Sequence, residues 1–421
     1  LSIYTIAAVL ALVALHTSCI TQTVAVSPQD PHYCTFEACD SLAFARRHPR
    51  MRLHYLAPAL AAAACALTPA RLRSNFRPRL RSTISMSTKE PGVVLGLNAA
   101  FQRRVAFEKP LVIGAVNRAA ESGGGVGGKG QGAYLAAAAA RPGSVALAQF
   151  YGGDAGDALA EALRKRASGA DEALWIRTAS QTRICTTLVA DGNATEIVEP
   201  SGAVTATELD ALRAALASRT APGLLAAGSL PPGVPADFYS TCAAATLAQG
   251  GKFLIDAVAG LEDAVAAAAS VGARMVLKVN ARELLLAAGD PLAAGAADSV
   301  DDPARTAHAA RALAAKLSSD ALAAILWTDG PHPGGALVGD AVYALAGPSL
   351  SEFGPVLSPI GAGDTVAGTT FAKWLENDDP VGAFAYGLAC GAASCLTAEN
   401  AVFDADVAAA IHAKTVVTKT S

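Results

Sequence analysis

The sequence predicts an α/β fold, a mainly parallel β-sheet with helices on both faces, and three observations lead there. Strand-like and helix-like segments alternate along most of the chain, and strands linked through helices pair in parallel. At 421 residues, 52% hydrophobic and 16% charged, the chain is long and apolar enough for a sizeable core. Two stretches, 105–116 and 182–198, read as hairpin-type strands outside that rhythm. The net charge of −3 argues against a nucleic-acid binder.

Taken in order, residues 1–90 form a leader. From Ser41 to Lys89 there is no Asp or Glu, while Arg recurs from Arg46 to Arg81. Arg52, an apolar run over 56–67 and the small residues after it have the layout of a secretory signal peptide. The acid-free, Arg- and Ser-rich 71–89 that follows has that of a transit peptide. A signal followed by a transit peptide resembles the bipartite leaders of proteins sent to plastids. A disordered extension in front of a cytoplasmic protein is the alternative. The apolar run over 3–15 is short for a membrane span, which needs about 20 residues, so no membrane is expected for the mature domain.

The domain proper is expected over 91–421. It opens on the β-rich run 93–97 and continues with strands at 145–150, 224–227, 252–255, 275–278 and 321–327. Helices are expected at 155–166, 235–248, 261–269, 303–317 and 365–375. Cys185, Cys242, Cys390 and Cys395 form no C-x-x-C pair and read as reduced thiols.

The stretch richest in chemistry is Gly361-Ala362-Gly363-Asp364, which leads into the last of these helices. Small residues let successive backbone N–H groups face one point, and a helix N-terminus adds positive potential, so Gly361, Ala362 and Gly363 suit an anion. A carboxylate there would repel a phosphate unless it accepts a proton from an attacking hydroxyl, which points to phosphoryl transfer to an alcohol. The alternative is an Asp that caps the helix. Asn280 and Glu283, one turn apart, fit either oxygen ligands for a hard cation or a capping box. Gly123 to Lys129 nearly spells a P-loop, but Gly130 stands where Ser or Thr should hold the metal and no apolar strand precedes it, so that reading is rejected.

Four stretches together resemble the PfkB (ribokinase-like) carbohydrate kinases: Gly127-Gly128-Lys129-Gly130, Gly228 to Val234, Lys278-Val279-Asn280-Ala281-Arg282-Glu283 and Gly361 to Asp364. They occur in family order, and the resemblance covers 93–412. It implies a ribokinase-like fold whose two hairpin regions, near 98–118 and 182–200, form a small β lid over the sugar. It implies ATP and Mg²⁺, with Asp364 as catalytic base, Lys278, Thr328 and Gly330 bordering the nucleotide, and Asn280 and Glu283 organising Mg²⁺ through water. Asn98, Gln102, Gly127, Gly128 and Lys129 would contact the acceptor. Asn117-Arg118 before the glycine run looks most like the 1-phosphofructokinase and tagatose-6-phosphate kinase branch, in which Arg118 and Arg183 would bind the substrate's phosphate. A homodimer through the lids is consistent with the resemblance. Two departures fall on the acceptor side: Gln102 replaces an Asp, and Gly132 replaces an Asn. They keep open a kinase of an unphosphorylated sugar or nucleoside, and a catalytically silent subunit.

Overall fold

The computed structural model describes residues 90–420 apart from 168–169, 192, 292–298 and 318; the leader lies outside the described residues. Ten strands form one sheet. Seven of them are parallel: β1 (Gly92–Leu95), β4 (Val145–Tyr151), β5 (Trp175–Arg177), β8 (Gly223–Ala227), β9 (Lys252–Asp256), β10 (Met275–Asn280) and β11 (Leu322–Asp329). Their order runs β5-β4-β1-β8-β9-β10-β11, and then β12 (His332–Val338), β13 (Ala341–Ala346) and β14 (Val416–Lys419) continue it antiparallel.

The central strands are apolar on both sides because both faces are covered. Alternate residues serve two separate cores. Val93, Leu95, Leu224 and Ala226 join the core formed with α3 (Ala206–Ala217), α4 (Phe238–Ala248), α5 (Leu261–Ser270), α6 (Ala281–Ala288) and α7 (Pro303–Leu317). Val94, Leu225 and Ala227 join the opposite core with α1 (Lys129–Ala140), α2 (Gly153–Arg166), α8 (Ala362–Trp374) and α9 (Pro380–Ser394). A small third cluster joins α9 to α10 (Ala405–Lys414).

The second sheet has the order β3-β2-β6-β7, from β2 (Ala100–Phe107), β3 (Glu121–Gly127), β6 (Arg183–Ala190) and β7 (Asn193–Val198). Its base is anchored by Phe101 and Val126, which pack into the core shared with α1 and α2. The first hairpin differs from the sequence reading. β2 begins at Ala100, and 108–120 is a connection, because Pro110 and Gly114 interrupt the apolar pattern that suggested a strand up to Val116. The glycines of 123–127 are extended as β3, paired with β2, and form no phosphate-cradling loop. The antiparallel β12, β13 and β14 were not expected at all.

One contact fixes the geometry of the site. A Cβ on Gly368 would lie 1.9 Å from the carbonyl oxygen of Ala133, so α8 and α1 approach to backbone contact only because that residue is glycine. Among the described residues no helix is long and apolar enough to cross a membrane. Cys185, Cys242, Cys390 and Cys395 are unpaired thiols.

Candidate active site

The site lies where the carboxyl ends of the central parallel strands meet the N-termini of α1, α6 and α8, the usual position for a ligand in an open α/β sheet. Helix α8 starts three residues earlier than the sequence suggested, with Gly361 as its N-cap at φ 80°, a left-handed conformation that favours glycine. Ala362 and Gly363 therefore occupy the first turn. The amides of Gly363 and Asp364 have no helical acceptor there, whereas the Ala362 N–H donates to the Pro359 carbonyl at 3.3 Å.

Asp364 is the third residue of the helix, whose N-cap is Gly361, so it does not serve as the cap. Its side chain rests against α1 at Gly132, where an added Cβ would stand 3.0 Å from the Asp364 Cβ and 3.1 Å from Oδ2. Burial and the neighbouring Asp256 push its carboxyl up to about 7, and Glu196 adds to this, against the opposing pull of Lys129 and Lys278. Such a carboxyl can exchange a proton near neutral pH.

Two lysines and two carboxylates surround it. The parallel register Val276↔Leu254 and Leu277↔Ile255 carries Lys278 beside Asp256 at the ends of β10 and β9. Both are buried, with Nζ 3.4 Å from Asp256 Oδ1. The same Nζ donates to the Gly363 carbonyl at 3.0 Å. Lys278 thus bonds both Asp256 and the α8 turn. Lys129, the first residue of α1, lies 3.1 Å from Glu283 Oε1. Asp256 above all, and then Glu283 and Asp364, hold its ammonium well above the ordinary range despite partial burial.

Asn280 caps α6, accepting from the Glu283 N–H at 2.7 Å, while Glu283 accepts from the Asn280 N–H at 2.9 Å. This is a complete capping box. Burial alone would raise Glu283, but Lys129, the Asn280 N–H and Lys278 together hold it below the usual carboxylate range. Among the described residues no group of three His, Cys, Asp or Glu could enclose a metal. Magnesium, which keeps most of its waters and needs only one or two carboxylates beside phosphates, fits Glu283 through water, since both of its oxygens and the Asn280 oxygen already carry hydrogen bonds. Thr328 sits next to Asn280 in the β10–β11 register. Gly330 forms the following turn at φ 59°.

On the other side, Asn98 leaves β1 and ties three segments together. It donates to Ser229 Oγ at 2.8 Å and accepts from Ser201 Oγ at 2.7 Å, and Arg183 Nη2 donates to its carbonyl at 3.3 Å. The buried Nε of Arg183 has no partner. Gln102 Nε2 donates to Thr187 Oγ1 at 2.7 Å, across β2 and β6. Gly127 lies under Gln102, whose Oε1 a Cβ there would meet at 3.0 Å. Gly128, at φ 92°, caps α1.

Arg118 is not brought to this site. It is exposed in the 108–120 connection, whose tip Asn117 fixes by bonding Val112 and Ala115. The β2–β3 register from Ala100↔Gly127 to Ala106↔Glu121 separates it from Gly127 by about 20 Å of strand. Asp256 is the functional neighbour that the sequence reading missed, although a carboxylate ending the apolar run 253–255, one strand before Lys278, was a readable signal.

Comparison with known proteins bears on the family and the fold. The family model described as "pfkB family carbohydrate kinase" matches residues 100–403. Phosphofructokinase-2 from Escherichia coli, in complex with fructose-6-phosphate, has a similar structure with a TM-score of 0.62 at 21% identity, covering 77% of this chain and 98% of that one. A "possible 1-phosphofructokinase" of Thermotoga maritima gives 0.62 at 17%, covering 78% and 99%. The ribokinase of Arabidopsis thaliana, complexed with ribose and ATP, gives 0.58 at 16%, covering 77% and 99%. No curated protein matches the sequence. The match to the family model spans well over half of a chain that has a ribokinase-like fold, and the chain belongs to the pfkB family of carbohydrate kinases, phosphotransferases with an alcohol group as acceptor.

Proposed function

We propose that the protein transfers the γ-phosphoryl group of ATP to a hydroxyl of a phosphorylated ketohexose such as a fructose or tagatose phosphate. The observation that carries this reading is Asp364, a carboxyl raised to about 7 beside the amides of the first α8 turn and between Lys129 and Lys278. The acceptor hydroxyl gives its proton to Asp364 as its oxygen forms the new bond to phosphorus, and the bond from phosphorus to the departing ADP breaks. The Gly363 and Asp364 amides face the charge on the transferring oxygens, a positioning and electrostatic role of the kind that dominates phosphoryl transfer. Lys278 holds that turn through the Gly363 carbonyl. Glu283 would hold Mg²⁺ through water, and the metal's contribution when bound is to neutralise phosphate charge.

The partly buried Arg183, with a free Nε, favours a phosphorylated acceptor. The bonding of Gln102 to Thr187 and the remoteness of Arg118 favour a second reading, a neutral sugar or nucleoside. ATP turnover by residues 90–421 against a panel of sugars, sugar phosphates and nucleosides, with Asp364→Asn as the blank, decides between them. Turnover only with neutral acceptors moves the assignment to the second reading. No turnover with any acceptor, with ATP still bound, makes a silent subunit the better one.

Two further parts of the reading have separate tests. A homodimer through the lids would cover Val112, Ile113, Val116 and Ile197, which are exposed on that sheet and its connection. An Ile113→Asp variant that sediments identically to the wild type would remove it. Plastid delivery by the leader is tested by fusing residues 51–90 to a fluorescent reporter, and cytoplasmic fluorescence would refute it.

A further inference from the structure

The lid carries a cation that the family motifs do not mark, and its position bears on the acceptor. Directly opposed residues in a sheet share a face, so the registers Ala100↔Arg183, Gln102↔Cys185 and Arg104↔Thr187 place Arg183, Gln102 and Arg104 on one side of the lid. The other side carries Phe101 and Val126, which are packed into the core beside α2. The side with Gln102 therefore faces the cleft, and it also bears Glu196, opposite Thr187, whose charge is felt at Asp364.

Three features show that Arg104 is available to a ligand. Its one ion pair among the described residues, to Glu121, is long at 3.7 Å, and the two side chains are 42% and 76% exposed, so the pair holds it weakly. Facing it across the β2–β3 ladder is Gly123, and facing Gln102 is Gly125; a Cβ at either position would meet nothing within 4 Å, so space is open beside the guanidinium. Of the other cations expected to bind the acceptor's charge, Lys129 pairs with Glu283 and Arg118 lies at the far tip of the hairpin, which leaves Arg183 as the one near the site.

We infer that Arg104 is a specificity-determining residue that binds an anionic group of the acceptor, with Arg183 and Arg104 bracketing Gln102 along the cleft side of the lid. Arg104 lies two residues, about 7 Å, beyond Gln102 along β2. The acceptor it suits has its charge at the end away from the hydroxyls held near Gly127, as a sugar phosphate does. This inference rests on the phosphorylated-acceptor reading proposed above.

Steady-state kinetics with the sugar phosphate that the wild type turns over, and with ATP varied separately, test it on Arg104→Gln and Glu121→Gln. For Arg104→Gln, KM for the phosphorylated acceptor is expected to rise at least tenfold, with kcat at saturation and KM for ATP changed less than twofold. Glu121→Gln, which removes the competing carboxylate, is expected to lower that KM. An unchanged KM in Arg104→Gln, with the wild type active on the sugar phosphate, overturns the role of Arg104 and leaves the proposed function standing. Wild-type turnover of neutral acceptors alone overturns both. A fall in kcat and a rise in the KM for ATP together would show a general lid defect and also overturn it.

Discussion

Asp364, the proposed base, combines two properties that pull against each other, since the burial that suits it to accept a proton near neutrality also makes it costly to ionise. Its conversion to Asn should lower kcat by about 10³-fold, within the range for loss of a general base, with an unchanged circular dichroism spectrum. In the wild type, kcat/KM should rise with pH on a limb near pH 7, since the acceptor's proton needs an ionised carboxylate. Asp256→Asn should move that limb to lower pH, because the Asp256 charge is among the influences raising Asp364. Stability runs the other way with pH. The folded chain binds the Asp364 proton more tightly than the unfolded chain, so stability from this group declines as pH rises from 3.8 to about 7. Asp364→Asn should therefore melt higher than the wild type at pH 8, and the gain should vanish below pH 4. The sequence revealed Asp364 through its glycine neighbours, whereas Asp256 stayed hidden because an acid ending a strand is ordinary until a neighbouring strand is known to set a lysine beside it. Arg118 was misplaced for the converse reason: sequence distance to Gly127 says nothing of a hairpin that carries the chain away and back.

At the scale of elements, the site depends on strand ends and helix starts that long-range packing brings together. The buried Lys278–Asp256 pair joins two strand ends to the α8 turn, and Lys278→Met should cost about 3–5 kcal/mol in urea unfolding by leaving a carboxylate uncompensated. Asp256→Leu in the same chain should restore much of that loss, and an equal cost in the double variant would deny the coupling. Helices α1 and α8 touch at Gly368 and Ala133, so Gly368→Ala should cost about 1–3 kcal/mol and also lower kcat, as the helices part and Asp364 leaves its seat at Gly132. The rhythm of apolar runs made the parallel strands legible. The antiparallel β12 and β13 were not, because β12 contains Gly334 and Gly335, and Gly335 is glycine to accommodate the Trp327 ring, a contact with no local sequence signature. The 105–116 reading failed likewise, since Val112, Ile113 and Val116 look like strand residues but are exposed in a connection.

At the scale of the whole molecule, the domain described from residue 90 onward has its own two-sided core, so residues 90–421 should fold with one cooperative transition and the melting temperature of the full chain. A second transition, or a lower one, would assign the leader a share in the fold. The order of strands has a consequence for fragments. β1 stands in the middle of the sheet although it comes first in sequence among the described strands, and later strands are laid on either side of it, while α8 begins only at Ala362 and β14 ends at Lys419. Nine of the ten strands of the large sheet, and the residues proposed to hold the acceptor, thus precede Asp364, the proposed base. On the proposed mechanism, a fragment ending before Ala362 keeps Asn98, Gln102 and Lys129 but lacks the carboxyl that would take the acceptor's proton, and it should show no ATP turnover on a sugar.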